Sequence, residues 1–61
     1  MPIVQIELLQ GRTVEQKRAL ADKVTAAIAE SVGCPRDAVS IIIRDMPREN
    51  FARGGQLAVD R

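Results

Sequence analysis

The chain has 61 residues, of which 46% are hydrophobic and 28% are charged, and it carries a net charge of +1, one cysteine and no histidine. This composition is globular, the near-neutral charge excludes a strongly basic nucleic-acid-binding module, and the lack of a ~20-residue apolar run excludes a membrane-spanning helix. With one cysteine and no histidine, a disulfide framework, a Cys/His zinc site and a histidine-based triad are excluded within one chain, so we expect no metal. The length predicts a single domain over residues 1–61. The lone free thiol favours a location in the cytoplasm.

The first predicted element is a strand over Pro2–Leu9. Val4, Ile6 and Leu8 fall on one face, and a mixed set of apolar and polar side chains falls on the other. Such alternation with β-branched residues is typical of a strand with one face towards a core. Gly11 ends the pattern.

The second element is an amphipathic helix that runs to Val32. Thr13 followed three residues later by Gln16 is a capping-box pattern at its start. Gly33 is suited to a left-handed cap at its end, and Pro35 prevents continuation. The apolar stripe of this helix recurs every four residues and consists of Leu20, Val24, Ile28 and Val32.

Alternation over Val39–Asp45 predicts a second strand, so that strand, helix and strand form a right-handed β-α-β unit with parallel strands. Met46–Phe51 is expected to be a loop or a short helical turn. Gly54 and Gly55 indicate a turn before a short terminal strand over Gln56–Val59, which is predicted to lie at an edge or to reach another subunit. The predicted fold class is α+β.

Chain length also predicts association. A chain of about 60 residues buries only ~60% of the surface that it exposes when unfolded and is marginally stable alone. Because disulfides and metals are excluded here, oligomerisation is the remaining common way to stabilise such a chain.

Pro2 is a candidate catalytic group because removal of Met1 would leave a secondary amine on a rigid ring. Such an amine acts as a general base at neutral pH when its pKa is lowered towards 7. A neighbouring cation or an apolar pocket would lower the pKa, because both disfavour the protonated form. Proline is also common at the first position of a strand without any catalytic role.

Arginines at turns and strand ends are candidate ligands for carboxylates, which they bind through two parallel donors. A single exposed arginine is more often a solvated surface charge. Phe51, the only aromatic residue, could cover the core or form the wall of a small pocket. The arginines in question are Arg12, Arg36, Arg44, Arg48 and Arg53.

Taken together, these residues resemble the 4-oxalocrotonate tautomerase family over nearly the whole chain without gaps. Each motif alone is weak, but their combination is specific. The matching residues are Met1-Pro2-Ile3-Val4-Gln5-Ile6, Gly11-Arg12-Thr13, Glu15-Gln16-Lys17, and Phe51 followed by Gly54-Gly55 and Leu57-Ala58.

The resemblance implies a homohexamer, a trimer of dimers, without a cofactor. It implies that Pro2, freed of Met1, moves a proton in unsaturated 2-hydroxy or 2-oxo acids such as 2-hydroxymuconate. Arg12 would bind a substrate carboxylate from a neighbouring subunit. Phe51 would form part of the apolar wall, and the backbone of Leu9 would lie close to the substrate.

Ser40 departs from the family pattern, because members that process diacids efficiently have a second arginine there. A hydroxyl donates one hydrogen bond but cannot neutralise a carboxylate, so slower tautomerisation of diacids is expected. Arg44 shares the face of Ser40 but lies ~13 Å along the strand. Arg44 or Arg53 could supply the charge from another direction.

Two alternatives follow from the same residues. Relatives use the proline as an acid in hydration, dehalogenation or decarboxylation, and a pKa of Pro2 far above 7 would favour that chemistry. The second alternative is a non-catalytic small oligomer in which Pro2 only begins a strand. Retention of Met1 would favour it, because Pro2 would then be an amide without a basic lone pair.

Overall fold

The computed structural model describes residues 1–61 and consists of a β-α-β unit followed by a short hairpin, which confirms the predicted α+β fold. The helix and strands, in chain order, are β1 (Ile3–Leu9), α1 (Val14–Val32), β2 (Ser40–Met46), β3 (Ala52–Arg53) and β4 (Gln56–Leu57). Short 3₁₀ turns cover Arg36–Ala38, Arg48–Asn50 and Ala58–Asp60.

Strands β1 and β2 pair in parallel, with Ile3 opposite Ser40 at one end and Leu9 opposite Met46 at the other. The apolar residues of the predicted inner face are half-buried, and the alternate positions are exposed up to Glu7. The period-two pattern therefore assigns the inner and outer faces of β1 correctly. Strand β2 begins one residue later than predicted.

Both ends of the helix are formed as the sequence predicts. The backbone N–H of Gln16 donates to the Thr13 hydroxyl at 3.1 Å, and the Thr13 N–H donates to the Gln16 side chain at 2.9 Å. At the other end Gly33 adopts a left-handed φ of 71° and its N–H donates to the Ala29 carbonyl at 3.0 Å. These bonds satisfy backbone groups that a helix otherwise leaves unpaired at its ends.

The C-terminal segment differs from the predicted single strand over Gln56–Val59. Only Gln56–Leu57 is strand, and it pairs antiparallel with Ala52–Arg53. Gly54 and Gly55, with φ of 60° and 82°, reverse the chain within two residues, as in the common two-residue hairpin turns. The remaining residues form a 3₁₀ turn, so the terminal strand is shorter than predicted and belongs to a hairpin.

The isolated chain is elongated and poorly buried. Its radius of gyration is 14.5 Å, whereas a compact chain of this length has about 10.5 Å. It exposes 4588 Å², compared with about 3,900 Å² for a compact monomer of this mass. Ala58 is the one residue that is fully buried. None of the helices combines the length and the apolar character that crossing a membrane requires.

Exposed apolar side chains occur on every part of the fold. Ile3 and Ile42 lie on the outer face of the sheet, Val14 and Val32 at the two ends of the helix, and Leu57 with Val59 in the C-terminal segment; their exposed fractions range from 38% to 63%. Together with the single fully buried residue, this exposure leaves much of the apolar surface of the isolated chain in contact with water.

Thr13→Ala is expected to lower the free energy of unfolding by about 1 kcal/mol, because it removes the hydroxyl that accepts from the helix backbone. Thr13→Ser is the matched control, since it keeps the hydroxyl and should remain close to the wild type. Urea unfolding at one fixed protein concentration measures both, because association also raises apparent stability. Equal stability of Thr13→Ala and the wild type would contradict this role of the cap.

Candidate active site

Pro2 and Ser40 lie next to each other at one end of the parallel strand pair. The backbone N–H of Ser40 donates to the Pro2 carbonyl at 2.9 Å, which extends the ladder by one bond beyond Ile3. Pro2 is half-buried, whereas Ser40 is exposed on the outer face of the sheet. The backbone of Pro2 is therefore held by β2, and its nitrogen is joined to Met1 by a peptide bond in this chain.

Leu9 and Arg12 lie at the opposite end of β1. Leu9 is half-buried and is paired with Met46, and the next residue, Gln10, donates its N–H to the Met46 carbonyl at 2.8 Å. Arg12 follows in the exposed loop before the helix. It takes part in none of the ion pairs of the chain.

The two ends of β1 are too far apart to hold one small substrate. Six residue steps separate Ile3 from Leu9, and each step of a strand covers ~3.3 Å, so the ends are about 20 Å apart. Within one chain, therefore, Pro2 and Arg12 are not brought together. A site that uses both residues needs two chains.

A shallow cleft of about 230 Å³ lies beside Arg12, between the end of β1 and the first turns of the helix. Lys17 also lines this cleft, but its ammonium group is bound to the carboxylate of Asp45. Sequence analysis missed this ion pair, since it depends on Asp45 facing the helix from β2. The residues that line the cleft are Leu8, Arg12, Gln16, Lys17 and Leu20.

Phe51 lies beyond the end of β2 and is held at the base of the hairpin. Its carbonyl accepts the N–H of Ala58 at 2.8 Å, and the Ala58 carbonyl accepts Nη2 of Arg48 at 2.8 Å. The guanidinium carbon of Arg53 lies 5.6 Å from the centre of the Phe51 ring. The sequence analysis did not predict this cation–π contact, although Phe51 and Arg53 are two residues apart and so share a side of an extended chain.

Arg44 is on the outer face with Ser40, as predicted, but it is already paired. Its Nη1 donates to Oε2 of Glu7 on the neighbouring strand at 2.8 Å. Arg44 is therefore engaged by Glu7, and it lies four residues, ~13 Å, along β2 from Ser40.

Cys34 is a half-buried free thiol directly after the helix. Its N–H donates to the Ala29 carbonyl at 3.1 Å, so its position follows from the end of the helix. The chain has no cluster of three or more His, Cys, Asp or Glu side chains that could hold a metal ion.

The sequence matches the tautomerase family over nearly its whole length. The profile of the family described as "Tautomerase enzyme" matches residues 2–61. A probable tautomerase of Bacillus cereus is 44% identical over 61 residues, which is all of both chains. A 2-hydroxymuconate tautomerase of Comamonas testosteroni is 47% identical over 55 residues, covering 90% of this chain and 87% of the relative. The chain therefore belongs to the tautomerase family.

Solved structures agree with this assignment. An apo unfused 4-OT superimposes with a TM-score of 0.95 at 38% identity over the full length of both chains. A chain of the heterohexamer 4-oxalocrotonate tautomerase of Chloroflexus aurantiacus reaches 0.94 at 33% identity, covering 98% of this chain and 97% of the other. A structure from an analysis of trans-3-chloroacrylic acid dehalogenase activity reaches 0.83 at 36% identity, covering 92% and 97%.

Proposed function

We propose that the protein is a cofactor-independent tautomerase of small unsaturated 2-hydroxy or 2-oxo acids such as 2-hydroxymuconate. Pro2, after removal of Met1, is its general base. The observation that carries this proposal is that Pro2 lies directly before β1, with its carbonyl fixed by the N–H of Ser40 at 2.9 Å. Once Met1 is removed, the Pro2 amine would therefore be held at a fixed position at the end of the sheet. The 2-hydroxymuconate tautomerase named among the relatives supports the substrate class.

The proposed reaction moves one proton within the substrate. The Pro2 amine removes a proton from the hydroxyl of the 2-hydroxy acid, or from one carbon of the 2-oxo acid, and the electron pair passes into the conjugated enolate. The protonated amine then returns a proton to another carbon. Atoms and electrons balance without a redox partner, so a positioned base and groups that stabilise the enolate are sufficient.

Arg12 is the proposed anchor for the substrate carboxylate. Its guanidinium is exposed, borders the cleft and has no carboxylate partner in its own chain. A free guanidinium can bind a carboxylate through two parallel N–H donors. Because the ends of β1 are about 20 Å apart, Arg12 would act on substrate held by Pro2 of a neighbouring chain. A cation close to Pro2 also favours the neutral amine that a base requires.

Three further residues complete the proposed site. Phe51 is half-buried and lies beyond the Met46 end of β2, so, like Arg12, it would serve Pro2 of a neighbouring chain, as the apolar wall that limits access of water to the base. Leu9, at the end of β1, would present its backbone to the substrate. Ser40 would offer one hydroxyl hydrogen bond at the edge of the site.

A homohexamer is the proposed active assembly. The elongated shape, the 4588 Å² of exposed surface and the apolar side chains on several faces support association. The hexameric architecture of the similar Chloroflexus protein supports the number six. Association would also bring Arg12 of one chain to Pro2 of another, which the length of β1 prevents within a chain.

Dehalogenation of a small unsaturated acid is a second candidate. The similarity to the structure from the trans-3-chloroacrylic acid dehalogenase study favours it. In that chemistry the Pro2 amine would act as an acid, so it would have to remain protonated at neutral pH. If the protein converts a 2-hydroxydienoate and its Pro2 amine is neutral at neutral pH, that result favours the tautomerase instead.

Light scattering at micromolar concentration is expected to give a mass close to six times that of the 6.7 kDa chain. The physical reason is that the single chain leaves too much apolar surface in water to be the stable form. A stable folded monomer would contradict the assembly and would remove the proposed role of Arg12 across subunits.

Pro2→Ala is expected to lower kcat towards 2-hydroxymuconate by roughly 10²–10⁴-fold, the usual contribution of a general base. Alanine at position 2 also permits removal of Met1, so the variant keeps a terminal amine but loses the secondary amine. Arg12→Ala should act mainly on KM, since the anchor binds substrate and transition state alike.

Steady-state kinetics on both variants separate these effects, with mass spectrometry to verify removal of Met1 and light scattering to verify assembly. Full activity of Pro2→Ala in an intact oligomer would refute the mechanism.

A further inference from the structure

The five arginines at turns and strand ends differ in whether the guanidinium group is already bound to another group of the same chain. Arg36 donates to Asp22 at 2.9 Å, and Arg44 donates to Glu7 at 2.8 Å, so both are neutralised by carboxylates of the same chain. Arg48 donates to the Ala58 carbonyl at 2.8 Å and so helps to hold the C-terminal segment. Arg12, Arg48 and Arg53 take part in no ion pair, and of these three only Arg12 and Arg53 make no side-chain hydrogen bond either.

Arg53 lies over the ring of Phe51, the proposed wall of the active site. Its guanidinium carbon is 5.6 Å from the ring centre, within the range of a cation–π contact. Such a contact engages the face of the ring and no hydrogen-bond acceptor, so the N–H donors of the guanidinium stay free to bind a carboxylate. The contact therefore orients Arg53 without consuming its capacity to bind an anion.

The hairpin fixes this position from both sides. Arg53 is the last residue of β3, opposite Gln56, and the left-handed residues Gly54 and Gly55 follow it. On the other side, the Phe51 carbonyl accepts the N–H of Ala58, the one fully buried residue. A side chain held on such a turn loses less conformational freedom on binding than one on an open loop.

We propose that Arg53 is the second carboxylate-binding residue of the active site and that it selects diacids, 2-hydroxydienoic or 2-oxoenoic acids with a carboxylate at each end. This inference rests on the proposed tautomerase function. Arg12 binds one carboxylate, and Arg53, carried by Phe51, binds the other. It provides the charge that Ser40 lacks, from a different element of the fold.

Arg44 is the competing candidate, and its contacts argue against it. It shares the outer face with Ser40, but its charge is neutralised by Glu7 at 2.8 Å. To bind substrate at the position of Ser40, Arg44 would have to release Glu7 and also reach back over four residues of β2, a distance of ~13 Å. Arg53 has no such partner to leave.

The test compares 2-hydroxymuconate, a diacid, with 2-hydroxypenta-2,4-dienoate, which lacks the distal carboxylate. Arg53→Gln is expected to lower kcat/KM for the diacid by roughly ten- to a hundredfold, as loss of a charged hydrogen-bonding partner does. The change for the monoacid should stay below about threefold. Arg53→Lys, which keeps the charge but not the planar donor pair, should retain more diacid activity than Arg53→Gln.

Arg44→Gln is the matched control, since it removes the same charge from another exposed arginine and should leave the preference for the diacid unchanged. Light scattering verifies that each variant keeps the assembly of the wild type. Equal losses on both acids in Arg53→Gln and in Arg53→Lys would overturn the inference, as would a diacid-specific loss in Arg44→Gln alone. Lack of activity of the wild-type protein on both acids would instead refute the proposed function itself.

Discussion

The length of β1 is the constraint on which the rest of this structure depends. Seven residues in parallel register with β2 place Pro2 at one end of the sheet and Arg12 beyond the other. A strand is stiff, and the ladder that holds it leaves no way to fold its two ends towards each other. The candidate base and the candidate anchor are therefore separated by a rigid element, and only a second chain can bring such a pair together.

The same constraint relates function to stability. A chain that buries a single residue completely has little core of its own, and its apolar side chains are spread over the sheet, the helix ends and the hairpin. Association would cover these surfaces and complete the active site in one step. On this account the assembly stabilises the fold and creates the catalytic geometry, so weakening an interface should cost stability and activity together.

Much of the β-α-β unit could be predicted from the sequence because its signals are local. Thr13 and Gln16 lie three residues apart, Gly33 follows the last turn of the helix, and the strands alternate over seven residues. The hairpin could not be bounded in the same way, since strands of two residues carry no periodicity. Its Gly-Gly turn was visible, but the pairing partner Ala52–Arg53 was not.

The candidate site was less accessible to sequence reasoning. The resemblance identified Pro2 and Arg12, but which other arginine is free depends on contacts between distant positions. Arg44 meets Glu7 only because of the strand register, across 37 residues of sequence. Likewise, the proposed base, anchor and aromatic wall belong to separate parts of the fold, and no local pattern encodes how copies of the chain would combine them.

Subunit mixing tests the central claim, a site shared between chains, most directly. The variants Pro2→Ala and Arg12→Ala are unfolded together in equal amounts and refolded. They are then assayed at a low concentration of 2-hydroxymuconate, at which each variant alone is expected to be nearly inactive. Random assembly places an intact Pro2 beside an intact Arg12 in about a quarter of the sites, so roughly a quarter of wild-type activity should return. Mixed oligomers, verified by native mass spectrometry, with no more activity than the two variants measured separately would contradict the shared site.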